Sequence, residues 1–355
     1  MNTHKIISLC CISAVILTIV FTGCRAIVNP IVKNYIDPYH DKVEKAGFIE
    51  KSVKIRETDL HYVEGPDNGP ALVLLHAQLM DWFDYSRVLP ELSKSYHIFV
   101  VDYNGHGKTT APASTMNANA IGDILATFME KEIKEPAFVS GNSSGGLLTA
   151  WLAANEPKVV KAILLEDPPL FAAEYPRVKQ TIAYKSFQSC NIYVESNSKA
   201  DFLTYWIKAS SAFITKNAGK KATPQLLSMV KSYREANPGK PVELPFLPVM
   251  LRMLFRGLSN FDPHFGYAFY SGEWNEGFVH ADALKNINCP TLLLQANFET
   301  RADGILDGAM NQNDADRAMA LLSNAKYIKI DASHVIHLDE PKKFIEIMNR
   351  FFLNK

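Results

Sequence analysis

The sequence predicts an α/β protein built on a doubly wound, mostly parallel sheet that a long helical insertion interrupts. Three observations carry this. From residue 71 to residue 167, short apolar runs alternate with helix-forming stretches, the pattern of strands joined by crossover helices. The alternation stops over residues 170–277 and resumes at Pro290. Within the first part, Pro136–Gly146 joins an apolar run to a helix-forming stretch through Gly141-Asn142-Ser143-Ser144-Gly145. Gly-x-Ser-x-Gly between a strand and a helix is the pattern of a nucleophile elbow.

Taken in order, Val53–Arg56 and Leu60–Val63 alternate apolar and polar residues, as an antiparallel hairpin at a sheet edge does. Ala71–Leu75 is apolar throughout, which suits a buried parallel strand, and ends in His76-Ala77-Gln78. Asp81–Ser93 reads as a helix and His97–Asp102 as the next buried strand, followed by Tyr103–Thr109. A helix fits Ala118–Lys134, then comes the elbow strand Ala137–Val139 and a helix through Leu147–Ala154. Val159–Leu165 is a strand ending in Glu166-Asp167-Pro168-Pro169. The following stretch is rich in aromatics and helix formers, lacks a buried-strand signal and is broken by Pro238, Pro241, Pro245 and Pro248. Its size suits a lid rather than a free-standing domain. Pro290–Gln295 resumes the sheet; Asp314–Leu322, Lys326–Ile330 and Pro341–Phe352 read as helix, strand and closing helix. The expected organisation is a leader over 1–24, a tether over 25–50, core over 51–167, a helical cap over 168–277 and core again over 278–355.

Lys+Arg and Asp+Glu are both 37, so charge gives no sign of a nucleic-acid partner. Ile6–Phe21 is apolar apart from Ser8, Ser13 and Thr18, follows Lys5, and runs into Thr22-Gly23-Cys24. A basic start, an apolar run and small residues form an export-signal pattern. The end resembles a bacterial lipobox with Cys24 as the lipidated residue, although Phe21 stands where that motif prefers Leu. An uncleaved anchor is the alternative, the run being at the lower edge of a spanning length. Either way the body is expected outside the cytoplasmic membrane, tied to it only at the N-terminus. Cys190 and Cys289 remain in the body, and a disulfide between them and two free thiols are both open. No cluster has metal-ligand spacing.

The elbow carries the chemistry. A turn this sharp strains its central residue and admits only very small side chains two positions away, here Gly141 and Gly145, which lifts the Ser143 hydroxyl clear of the sheet. A serine hydroxyl needs a base. Of the body's histidines, His334 is best placed, on the loop between the last strand and the last helix. His337 reads as packing or capping near that helix, and His76 and His106 as loop braces at strand ends.

These motifs together resemble the α/β-hydrolase fold: His76-Ala77 after the third strand, Asp102–Gly107 after the fourth, the elbow at Ser143, and Ser333-His334 followed by Asp339-Glu340-Pro341. The resemblance covers residues 51 to 355 apart from the lid, with Ala77 where His-Gly is usual. It implies a mostly parallel eight-stranded sheet with an inserted cap. It also implies a third triad member that fixes the imidazole tautomer. Asp167, beside Pro168-Pro169 where certain lactonases of this fold carry an acid, is the residue expected in this role. Glu299, in the Ala296–Glu299 stretch after the seventh strand, is the alternative, with Asp303 a weaker third. The oxyanion donors implied are the backbone N–H groups of Gln78 and Ser144. Trp151 is expected in the core, and Trp206 and the Phe261–Trp274 stretch in or beside the lid, some of them lining an apolar acyl or ring pocket.

The expected function is therefore a serine hydrolase acting on a small ester or lactone through an acyl-enzyme, with no metal or organic cofactor required. Hydrolysis of C–C or amide bonds on the same residues, and a surface-tethered binding protein without turnover, are the alternatives.

Overall fold

The computed structural model describes residues 31–354. The leader expected over 1–24, with Cys24, lies outside the described residues. Among those described, no helix is long and apolar enough to cross a membrane.

Among the described residues ten strands form: β1 (Ile49–Ile55), β2 (Thr58–Glu64), β3 (Ala71–Leu75), β4 (His97–Asp102), β5 (Ala137–Asn142), β6 (Val160–Glu166), β7 (Thr291–Gln295), β8 (Glu299–Thr300), β9 (Leu306–Asp307) and β10 (Ala325–Lys329). Eight make one sheet in the order β1-β2-β4-β3-β5-β6-β7-β10, and β8 and β9 make a separate ribbon. β1–β2 and β2–β4 pair antiparallel and the remaining pairs are parallel. The central strands β3, β5 and β7 are buried at every residue, as their apolar runs require when helices cover both faces. The edge strand β1 is mostly exposed.

β3 lies between β4 and β5, so the chain leaves β3 on one side and returns on the other. Such a reversal opens a crevice beyond the carboxyl ends of the strands, where ligands bind in open α/β sheets. The Ala77-Gln78 loop and the Ser143 elbow both leave strands at this reversal.

The principal helices are α1 (Tyr39–Lys45), α2 (Ala118–Phe128), α3 (Ser144–Asn155), α4 (Tyr184–Glu195), α5 (Phe202–Ala209), α6 (Ser211–Ala218), α7 (Ala222–Ala236), α8 (Val249–Leu258), α9 (Pro263–Ser271), α10 (His280–Asn286), α11 (Gln312–Leu321) and α12 (Pro341–Leu353). Helices α4 to α9 form the insertion between β6 and β7. Asp201 and Asp262 cap α5 and α9 by accepting from Thr204 N–H and His264 N–H. α4 packs on α9 through stacked Phe187 and Phe269, 4.9 Å between ring centres. The insertion is tied to the core by the Arg177–Asp314 ion pair and by Ile182 N–H, which donates to Leu306 O at 2.9 Å.

Some expectations change. Asp81–Ser93 is a 3-10 turn, Trp82–Arg87, followed by a one-turn helix, Leu89–Leu92, rather than one helix. Pro90 explains the break, since a proline inside a helix removes a bond and clashes with the preceding turn. The helix from Ala118 passes into a π-turn over Met129–Ile133 and stops at Lys134, which is left-handed at φ 64. The stretch read as a tether packs against the body from residue 31, with Val32, Asp37 and Val43 buried. Cys190 and Cys289 are free thiols, so the disulfide is not formed.

Candidate active site

Ser143 stands between β5 and α3 at φ 55 and ψ −119, a left-handed conformation that side-chain-bearing residues avoid. The glycines explain how the turn closes. A Cβ on Gly141 would collide with the Gly145 carbonyl, and one on Gly145 with the Leu75 carbonyl. β5 pairs with β6 so that Asn142 faces Glu166. Glu166 O accepts from Ser143 N–H at 3.0 Å and from the Asn142 side chain at 3.1 Å. The same Asn142 amide donates to His334 O at 2.9 Å, tying the elbow to the histidine loop.

His334 Nδ1 lies 2.7 Å from Asp167 Oδ2. A carboxylate only accepts, so Nδ1 donates in this contact and Nε2 is the ring nitrogen left for other partners. Asp167 is fixed in turn. Its Oδ1 accepts from Ala296 N–H at 3.1 Å, and its own N–H donates to Leu294 O at 2.9 Å. The two other acid candidates lie elsewhere. Glu299 is exposed on the β8–β9 ribbon, and Asp303 is exposed and accepts from Ile305 N–H at 3.1 Å. Asp167 is thus the acid brought to His334.

His337, His76 and His106 are buried in the scaffold. His337 is fully buried, 2.9 Å from Glu166 Oε2 and 3.6 Å from Asp84, and is stacked on Tyr85. His76 Nδ1 lies 2.8 Å from Ala77 O, and its ring is stacked on Tyr103. His106 is held neutral by burial, well below the usual imidazole range, and its Nε2 accepts from Leu79 N–H at 3.3 Å.

Gln78, Ser143, Ser144 and His334 line one cavity of about 660 Å³ between the sheet and the insertion. Ser144 is the first residue of α3, so its N–H has no acceptor within the helix and points from the positive end of the helix dipole. Ser144 Oγ is engaged separately, 2.9 Å from Tyr103 Oη. Trp206, Leu254 and Phe269 contribute apolar lining from the insertion. Trp151 is in the core and donates to Asn119 Oδ1 at 2.7 Å, while Trp274 is fully buried against Phe269.

Sequence reasoning did not find Asn142, whose position inside the elbow motif was the available signal. Nor did it find the pairing of Glu166 with His337, visible only as an acid next to Asp167 and a second histidine near His334.

A model of the alpha/beta hydrolase fold family matches residues 70–341. The chain belongs to the alpha/beta hydrolase fold family. Among curated members, this alpha/beta hydrolase is 26% identical over 298 residues to the pimeloyl-(acyl-carrier protein) methyl ester esterase of Nitrosospira multiformis. That match spans 82% of this chain and 97% of the relative. Two solved structures share the fold. The enol-lactonase of Burkholderia xenovorans LB400 has a TM-score of 0.57 at 18% identity, covering 86% of this chain and 100% of its own. A carboxylesterase of Bacillus subtilis has a TM-score of 0.58 at 18% identity, covering 89% of this chain and 98% of its own.

Proposed function

We propose that this alpha/beta hydrolase is a serine hydrolase that cleaves a carboxylic ester or lactone through an acyl-enzyme. The observation that carries the reading is the 2.7 Å contact with Asp167 of His334, which lines the same cavity as Ser143. His334 Nε2 takes the Ser143 proton as Oγ attacks the substrate carbonyl carbon, and Asp167 stabilises the imidazolium that forms. The N–H groups of Gln78 and Ser144 receive the developing oxyanion. The alcohol leaves with the proton from His334, which then draws a proton from water as it attacks the acyl carbon. The acid is released and Ser143 restored. With a lactone, the alcohol stays tethered to the acyl group throughout, and the last step releases a single hydroxy acid.

Serine at the elbow favours acyl transfer over epoxide or haloalkane hydrolysis, which in this fold usually employ aspartate. The relative named as a methyl ester esterase, and the fold shared with a carboxylesterase and an enol-lactonase, support the same class. A cavity of about 660 Å³ is the size of a small-molecule site, and its apolar insertion side suits a hydrocarbon acyl chain or ring. In the same reading, lipidation at Cys24 tethers the enzyme on the outer side of the cytoplasmic membrane.

The test is turnover of a panel of p-nitrophenyl esters and lactones, measured beside Ser143→Ala. Hydrolysis that disappears in Ser143→Ala supports the reading. No turnover of any panel member, together with no fluorophosphonate labelling of Ser143, favours instead a binding protein of this fold.

A further inference from the structure

We propose that Arg256 is a positioning residue for the reaction: from helix α8 of the insertion it holds, through Asp81, the loop that presents the Gln78 N–H to the oxyanion. The proposal rests on the serine-hydrolase reading above. Arg256 and Asp81 are both buried, and Arg256 Nε lies 2.8 Å from Asp81 Oδ2 and 3.0 Å from Oδ1. The other arm of the guanidinium, NH1, lies 2.7 Å from Glu243 Oε1. Asp81 follows Gln78 by three residues and also accepts from Phe83 N–H at 3.1 Å, capping the turn that ends the loop.

The loop is gripped from two sides. From the core, His106 accepts from Leu79 N–H and Asp102 Oδ1 accepts from Trp82 N–H at 2.8 Å. From the insertion come Arg256 and its neighbour Gly257, where a Cβ would collide with the Leu79 carbonyl. Leu79 itself is left-handed at φ 64, a conformation that persists only while its surroundings impose it. An apolar contact would hold α8 against the loop equally well. Burying a guanidinium and two carboxylates is costly, and what it adds is a fixed direction, since a planar fork meets a carboxylate in few orientations. Here that direction fixes the loop carrying Gln78.

The same cluster supplies a control. Arg252, also on α8, pairs with Asp37 at 3.2 Å and donates to Tyr35, both on the N-terminal segment rather than the loop. A purely structural cluster would treat Arg252 and Arg256 alike.

The experiment compares Arg256→Gln, Arg256→Lys, Asp81→Asn and Arg252→Gln with the full-length wild type. It measures kcat, KM, thermal melting and inhibition by a trifluoromethyl ketone, whose adduct with serine places an oxyanion in the hole. Arg256→Gln and Asp81→Asn are expected to lose about 10- to 100-fold in kcat, with a matching loss of ketone affinity and KM within about twofold. Arg256→Lys recovers part of the loss. Arg252→Gln melts earlier with kcat and ketone affinity unchanged. Should Arg256→Gln fail to fold, Asp81→Asn decides, because asparagine keeps the acceptor for Phe83 N–H. Full kcat in folded Asp81→Asn, or losses that follow melting temperature in all variants, overturns the proposal while Ser143-dependent turnover in the wild type stands. A wild type without turnover and without labelling at Ser143 removes the reading and the proposal together.

Discussion

Glu166 and Asp167 are neighbours at the end of β6, and each holds a different histidine from one segment. Asp167 Oδ2 is 2.7 Å from His334 Nδ1, while Glu166 Oε2 is 2.9 Å from His337 Nδ1. His334 lines the cavity, whereas His337 is fully buried. One acid pair therefore divides its work: the first carboxylate holds a histidine buried in the scaffold, and the second holds the histidine that lines the cavity.

Asp167→Asn should lower kcat by about 10³- to 10⁴-fold, because asparagine no longer enforces the His334 tautomer or stabilises the imidazolium. Glu299→Gln, altering an exposed ribbon residue, should leave kcat within about twofold. Steady-state kinetics on the best panel ester checks both. Equal mild losses would remove Asp167 from the role given to it.

His337 sets an alkaline limit on stability. Burial works against its charge, but the Glu166 and Asp84 carboxylates outweigh burial and hold the imidazolium up to about 10. The unfolded imidazole titrates near about 6.5. Between these values the folded state binds the extra proton, so stability is full below about pH 6.5 and falls, by at most about 1.4 kcal/mol per pH unit, as pH rises through 10. His61 adds to the same window: burial opposes its charge, but Asp102 and Glu50 hold it up to about 9. Urea denaturation from pH 6 to pH 10 should show the decline. His337→Gln should flatten part of it, while costing about 3 kcal/mol or more at neutral pH through two buried carboxylates left without their cation.

Gly145→Ala should abolish turnover and destabilise the protein by about 3 kcal/mol, since the new methyl group meets the backbone carbonyl of Leu75, which cannot swing aside. Denaturant midpoints measure this. An unchanged midpoint would mean that the turn is looser than the elbow requires.

Trp206→Ala should shift substrate preference without disabling the chemistry. Trp206 lines the cavity from the insertion and packs edge-on to Phe255. Removing the indole lengthens the space open to an acyl chain, so kcat/KM should peak at a longer p-nitrophenyl ester. A profile identical to wild type would exclude Trp206 from the acyl site.

Much of this was legible in the sequence for a physical reason. Strands buried on both faces carry continuous apolar runs, so Ala71–Leu75 and Leu292–Leu294 announce themselves. A turn that admits no Cβ must carry glycine, so Gly141 and Gly145 mark Ser143. The acid was not legible in the same way. Either Asp167 or Glu299 could follow a strand end, and only the fold brings Asp167 to His334. Least visible was the packing of residues 31–45. Asp37 N–H donates to Glu243 Oε2 at 3.1 Å across 206 residues, and Arg87 grips the Asp37 carboxylate with both amino groups. Such contacts are made by single charged residues far apart in the chain, and no periodicity records them. The segment therefore read as a tether.

The most direct measurement is covalent labelling with a fluorophosphonate, followed by peptide mapping. A serine activated by His334 and Asp167 predicts one label per chain, on Ser143, absent from Ser143→Ala and markedly slower in Asp167→Asn. No label, or a label on Ser144 or another serine with Ser143 untouched, would contradict Ser143 as the nucleophile.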